Sequence, residues 1–236
     1  MKKMHIAVVD DGISEGYFDS LCLEHDIVIT KDFKAVASNS HNYPRRNHGT
    51  VCAGIVKKYC SNAKISSIKV LNDNMLGSIG RLIKAIQWCI ANEIDIINLS
   101  IGTIHRRDEK RLRETVDKAD NKGIIIVAAQ SNDDLLTYPA CFHNVIGVKS
   151  DKNNILEEGQ FTCDFESSDG IEIIACGRHK LVNYLGEEKT TSDWNSYATP
   201  MITALIANIA GELSSPSAIE VRKKLWEKAT KKQIEV

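Results

Sequence analysis

A serine that opens a long apolar helix has two uses, and Ser196 in Trp194-Asn195-Ser196-Tyr197-Ala198-Thr199-Pro200 is such a serine. As an N-cap, its hydroxyl would satisfy an orphaned backbone N–H of the first turn. As a nucleophile, it would sit beside the positive end of the helix, which helps to hold negative charge developing on a reacting atom. The serine alone does not choose between the two. Other residues with chemical potential stand next to apolar runs. Asp10 follows one in Val8-Val9-Asp10-Asp11-Gly12, and Asn132 follows another in Ala128-Ala129-Gln130-Ser131-Asn132. Ser100 and Gly102 come after Ile97-Asn98-Leu99, and His48-Gly49-Thr50 begins a segment that reads as helical.

Hydrophobic spacing outlines the elements that must position these residues. Apolar runs predict strands over 6–9, 26–29, 65–70, 94–99, 124–129, 145–148 and 171–175. Amphipathic or apolar helical spacing covers 48–58, 80–92, 105–122, 196–213 and 216–229, the last with proline in its first turn. Residues 30–47 read as polar and irregular, with a turn at Asn42-Tyr43-Pro44. Nearly unbroken apolar strands alternating with helices imply an α/β fold: a mostly parallel central sheet covered by helices on both faces. We expect one domain over residues 1–236. In such sheets chemistry collects at the carboxyl ends of the strands. Asp10, Ser100 and Asn132 then share one edge with the helix starts at His48 and Ser196.

Composition removes several function classes. A net charge of −1 gives no sign of a nucleic-acid or anionic-membrane partner. The apolar runs fall short of the roughly 18 residues that a membrane span needs. The apolar part of the N-terminus is too short for a secretion signal. Seven cysteines, an odd number with no Cys-x-x-Cys pair, point to reduced thiols and a cytoplasmic location, with no disulfide framework and no metal site. No cofactor is expected.

Five blocks in order resemble the subtilisin-like serine peptidases. They are Ile6-Ala7-Val8-Val9-Asp10-Asp11-Gly12-Ile13, His48-Gly49-Thr50-Val51-Cys52-Ala53-Gly54, Ile96-Ile97-Asn98-Leu99-Ser100-Ile101-Gly102, Ala128-Ala129-Gln130-Ser131-Asn132-Asp133 with Tyr138-Pro139-Ala140 after it, and Ser196-Tyr197-Ala198-Thr199-Pro200. The order Asp, His, Ser is that family's. The resemblance implies a three-layer subtilisin-like fold and a serine endopeptidase working through an acyl-enzyme. Ser196 would be the nucleophile, His48 its base, Asp10 the carboxylate that orients the imidazole, and Asn132 an oxyanion-hole donor. A protein or peptide substrate would bind as an extended strand along Met75, Leu76 and Gly77 on one side and Ser100, Ile101 and Gly102 on the other.

The sequence also departs from the family pattern. Trp194 and Asn195 replace Gly-Thr before the serine, and Tyr197 replaces Met after it. Trp194 would be strained if its position needs a positive φ, or would wall the substrate cleft. Gln130 replaces a small residue and would narrow the specificity pocket. Asp133 and Asp134 would favour a basic substrate side chain, or are solvated loop acids. Asp11 reads as a turn acid. Cys52, one helical turn after His48, is expected to be a structural thiol whose modification would disturb His48.

Secreted members of that family usually carry a folding propeptide, and many a calcium-binding loop after the histidine helix. Here the sequence starts almost at the first strand and the helix runs through Ser61-Asn62-Ala63 straight into the next strand, so a compact, calcium-independent form is expected. That suggests a dedicated enzyme removing leader segments from a ribosomal precursor peptide. A binding protein on a catalytically inactive subtilase fold is the alternative. A nucleotide-binding α/β protein is disfavoured, because Asp10-Asp11-Gly12-Ile13-Ser14 lacks the glycine pattern and lysine of a phosphate loop.

Overall fold

The computed structural model describes residues 2–19, 21–38, 45–72, 74–164, 166–214 and 216–229. Nine strands form one sheet: β1 (His5–Asp10), β2 (Leu23–Ile29), β3 (Ala35–Ala37), β4 (Lys64–Lys69), β5 (Ile96–Leu99), β6 (Ile125–Ala129), β7 (Val145–Ser150), β8 (Phe161–Cys163) and β9 (Ile173–Ala175). Their order is β3-β2-β4-β1-β5-β6-β7-β9-β8. Neighbours from β2 through β9 run parallel, and only the edge strands β3 and β8 pair antiparallel. A small hairpin, β10 (Lys180–Val182) with β11 (Glu188–Thr190), stands apart.

Side chains alternate across the sheet, so each central strand feeds two cores. Ile6 and Val8 of β1 join one core with α1 (His48–Tyr59), α4 (Asn195–Glu212) and α5 (Ala218–Lys228). Ala7 and Val9 join the other with α2 (Ile79–Ala91) and α3 (Glu109–Asp120). Burial on both faces is why these strands read as unbroken apolar runs. Each fully buried isoleucine, such as Ile6 or Ile97, contributes roughly 1.5–3 kcal/mol by leaving water. The result is the expected three-layer α/β arrangement.

Differences from the sequence reading are local. The short strands β3, β8, β10 and β11 are three residues each, too few for a period to register. β3 lies in the stretch read as irregular, whereas the Asn42-Tyr43-Pro44 turn lies outside the described residues. The helix expected over 105–122 splits into a 3₁₀ turn, Arg106–Asp108, and α3. Thr103 causes the split: its Oγ1 donates to Asp108 Oδ2 at 3.1 Å and accepts from His105 N–H at 3.1 Å, holding a turn that competes with the helix.

Candidate active site

The carboxyl end of β1 delivers Asp10 into the interior, where it is 1% exposed. α1 begins at His48 directly above it. Two glycines allow the approach. Gly12 turns the chain with φ +101°, and a Cβ at Gly49 would lie 2.4 Å from the Gly12 carbonyl oxygen. Asp11 ties this turn to the helix: its Oδ1 accepts from Gly49 N–H at 2.8 Å and its Oδ2 from His48 N–H at 3.3 Å. An acid there satisfies first-turn donors and matches the positive helix end. Asn47, just before the helix, makes no capping bond of its own to it, so a carboxylate 37 residues away in sequence from His48 does so.

His48 Nδ1 lies 2.8 Å from Asp10 Oδ2 and 2.9 Å from Oδ1, and Nε2 lies 2.9 Å from Ser196 Oγ. A buried carboxylate only accepts, so Nδ1 carries the proton and Nε2 is left to accept from the serine hydroxyl. Burial disfavours the imidazolium. A Cys52 thiolate would favour it, but burial also raises that thiol and keeps it uncharged at neutral pH. The Asp10 carboxylate is the charge that remains, and it holds His48 above its ordinary value of 6.5.

Ser196 is the second residue of α4, and Pro200 stands four residues on. Proline has no N–H, so the Ser196 carbonyl loses its helical donor. Ser100 Oγ takes that place, donating to it at 2.8 Å. Asn98 Nδ2 in turn donates to Ser100 Oγ at 3.1 Å, and Thr203 Oγ1 to Asn98 Oδ1 at 2.9 Å. The Ser196 N–H has no acceptor among the described residues. Asn132 follows β6, and its Oδ1 accepts from Asn195 N–H at 3.1 Å. That donor orients the carboxamide, leaving Nδ2 as the end without a partner among the described residues.

A cavity of about 780 Å³ opens beside Ser196. Residues 75–77 and 100–102 line it, with Gln130, Asn132 and Asp133. These are the segments expected along a substrate cleft, brought to the same edge as Asp10, His48 and Ser196.

A model of the subtilase family of peptidases matches residues 1–235. The chain belongs to the subtilase family. It is 30% identical to "Minor extracellular protease Epr" of Bacillus subtilis (strain 168) over 236 residues, 95% of this chain and 34% of that protein. It is 27% identical to "Subtilisin DY" of Bacillus licheniformis, covering 95% of this chain and 83% of that protein. The chain thus spans about a third of the first relative and most of the second. Among solved structures it resembles sphericase, with a TM-score of 0.73 at 22% identity over 96% of this chain and 85% of that one. It also resembles "S41 Psychrophilic Protease", with a TM-score of 0.71 at 22% identity over 95% and 82%. The resemblance read from the five sequence blocks is borne out, and family and relatives together support a serine endopeptidase.

Trp194 of this subtilase departs from one expectation, that of strain. Its backbone is extended, φ −108° and ψ 148°, so it carries no left-handed strain. Its ring does not line the cavity. The indole lies 5.8 Å from the Tyr197 ring at an interplanar angle of 2°, and Tyr197 lies 5.1 Å from the His48 ring. Stacking on Tyr197 covers one face of the indole, and the residue stays 49% exposed. Of the two loop acids, Asp133 lines the cavity, whereas Asp134 Oδ2 pairs with Lys152 Nζ at 2.5 Å. Gln130 is buried, its Nε2 donating to Asp169 Oδ2 at 3.2 Å while its Oε1 has no partner among the described residues.

Cys52 is fully buried below the histidine, with Sγ 3.8 Å from His48 Nδ1 and 3.5 Å from Ser100 Oγ. Asp10, His48 and Cys52 are the group among the described residues whose donor atoms could converge on a metal ion, all within 4.8 Å of one another. Sequence reasoning missed three contributors: the Asp11 cap, the Ser100 hydroxyl that supports the Ser196 carbonyl, and Asn195. The proline four residues after Ser196 was a usable signal for the second, since it announces a carbonyl in need of a donor.

Proposed function

We propose that this subtilase cleaves internal peptide bonds through an acyl-enzyme. The observation that carries the proposal is His48 joining Asp10 to Ser196, with Nδ1 at 2.8 Å from one and Nε2 at 2.9 Å from the other. Ser196 Oγ attacks the scissile carbonyl carbon as its proton passes to Nε2. Asp10 stabilises the imidazolium. Collapse of the tetrahedral intermediate breaks the C–N bond, and the leaving amine takes the proton from Nε2. Water then repeats the sequence on the ester and frees the acid product and the serine. Asn132 Nδ2 and the Ser196 N–H hold the oxyanion.

A fluorophosphonate probe tests this directly. Intact mass should show one adduct on the wild type and none on Ser196→Ala. A folded wild type left unlabelled would instead favour a binding protein on an inactive subtilase fold.

Two further results are expected. Asn132→Ala removes one oxyanion donor and should lower kcat by roughly 10²–10³-fold with KM nearly unchanged. The pH profile follows from His48, which works only when neutral. Because Asp10 raises its pKa, kcat/KM should climb with pH through an inflection above 6.5 and be lost on the acid side. A kcat/KM with no acid limb would contradict the assignment of His48 as the base.

Within this activity we place a dedicated processing role, removal of a leader segment from a ribosomal precursor peptide. Its support is the bounded cavity beside Ser196, walled by Leu76, Ile101 and Gln130, which can select among side chains. Scattered cuts in candidate precursors would overturn it. The location we propose is the cytoplasm, supported by cysteines that are all free. No helix among the described residues is long and apolar enough to cross a membrane.

A further inference from the structure

Asn195 stands where the family carries threonine, immediately before the nucleophile, and its side chain is fully buried. Both ends of its carboxamide are fully engaged. Oδ1 accepts from Ser150 N–H at 2.7 Å and from Ser150 Oγ at 2.9 Å. Nδ2 donates to the carbonyls of Gln130 at 3.2 Å and Ser131 at 2.9 Å. A hydroxyl has one proton and could not donate to two carbonyls while accepting from β7. One residue therefore joins the exit of β6, the end of β7 and the first turn of α4.

These bonds close a ring. It runs from Asn195 Nδ2 to the Ser131 carbonyl, along the chain to Asn132, and from Asn132 Oδ1 back to Asn195 N–H at 3.1 Å. The ring carries Asn132 Nδ2, and the N–H of Ser196 is the next backbone donor along α4. Both are the donors assigned above to the oxyanion. Asn195 itself is absent from the cavity wall and has no exposed surface.

We propose that Asn195 is the positioning residue of the oxyanion hole: its carboxamide sets the separation between Asn132 Nδ2 and the Ser196 N–H. The proposal rests on the assignment of those two donors. Oxyanion donors work because they are in place before charge develops, so a small displacement lowers the rate without weakening substrate binding. A residue that merely stabilised the fold would lower Tm and leave kcat per active site unchanged.

The test is a double-mutant cycle between Asn195 and Asn132, read as kcat and KM on a peptide substrate with enzyme concentration set by fluorophosphonate titration. Asn195→Ala should lower kcat by about 10–100-fold with KM within about twofold. In the Asn132→Ala background the same change should cost less than about threefold, because the donor it positions is already gone. Ser150→Ala gives a milder second arm if Asn195→Ala does not fold. It removes the hydroxyl on Oδ1, whose proton has the Asp193 carbonyl as a longer second acceptor at 3.3 Å. It should show a smaller loss in kcat with the same dependence on Asn132. Losses that multiply across either cycle, or that fall on KM alone, would overturn the proposal while leaving the oxyanion assignment intact. An Asn132→Ala enzyme with unchanged kcat would instead remove the assignment, and the role of Asn195 with it.

Discussion

Ser196→Ala is expected to lower kcat by roughly a million-fold, and His48→Ala by about as much, the losses seen when the serine or histidine of subtilisin is removed. A serine hydroxyl without a base is a poor nucleophile, and a base without the serine has no proton to take. The two act through one hydrogen bond, Ser196 Oγ to His48 Nε2 at 2.9 Å. The double variant should therefore be no worse than either single one. The remaining activity, about 10³–10⁴-fold over water, would come from the oxyanion donors and substrate binding. Steady-state kinetics on purified single and double variants decide the matter. Losses that multiplied would mean that Ser196 and His48 do not work as one unit. The serine change should leave the fold undisturbed, whereas His48→Ala also leaves the buried Asp10 carboxylate without its imidazole partner and should lower stability. Among the described residues Ser196 Oγ holds no partner beyond His48, and the Ser196 carbonyl that Ser100 supports is backbone.

Asp10→Asn is expected to lower kcat by about 10⁴-fold while keeping the shape of the site. The reason is the proton on the imidazole. Asp10 accepts from His48 Nδ1 through both oxygens and from Asp11 N–H at 2.8 Å. An amide can turn its NH₂ toward Nδ1 and donate to it, which moves the imidazole proton to Nε2. Nε2 then cannot accept from Ser196. The pH profile carries a second signature with a definite sign. Removing the carboxylate removes the charge that raises the His48 pKa, so the acid limb of kcat/KM should shift to lower pH than in the wild type. A variant with a lower rate but an unshifted limb would show that Asp10 orients the ring without setting its charge.

Residues near in sequence made most of the fold legible. The central strands read as apolar runs because parallel strands are buried on both faces, and the helices read from their own periodicity. The ends of those runs placed Asp10, Ser100 and Asn132 on one edge, with His48 and Ser196 at helix starts. The proline after Ser196 and the glycine after His48 were visible marks of special backbone. The short edge strands β3 and β8 escaped, since period and propensity need a longer window than they offer, whereas β9, equally short, read from the apolar run around it.

What the chain alone determined, then, was the alternation of strands and helices and the identity of the residues at their ends, because these follow from neighbours within a few positions. Tertiary structure decided which polar atoms meet. His48 and Ser196 are 148 positions apart, and Asn195 and Ser150 are 45. A buried polar group must find a partner, and which one it finds depends on the register of β1, β6 and β7 and on where α1 and α4 begin over them. The same packing stacked Trp194 on Tyr197, made Asp11 a remote helix cap, and gave Asn195 its four side-chain hydrogen bonds. No local pattern encodes those choices, since each depends on segments that are neighbours only once the sheet has formed.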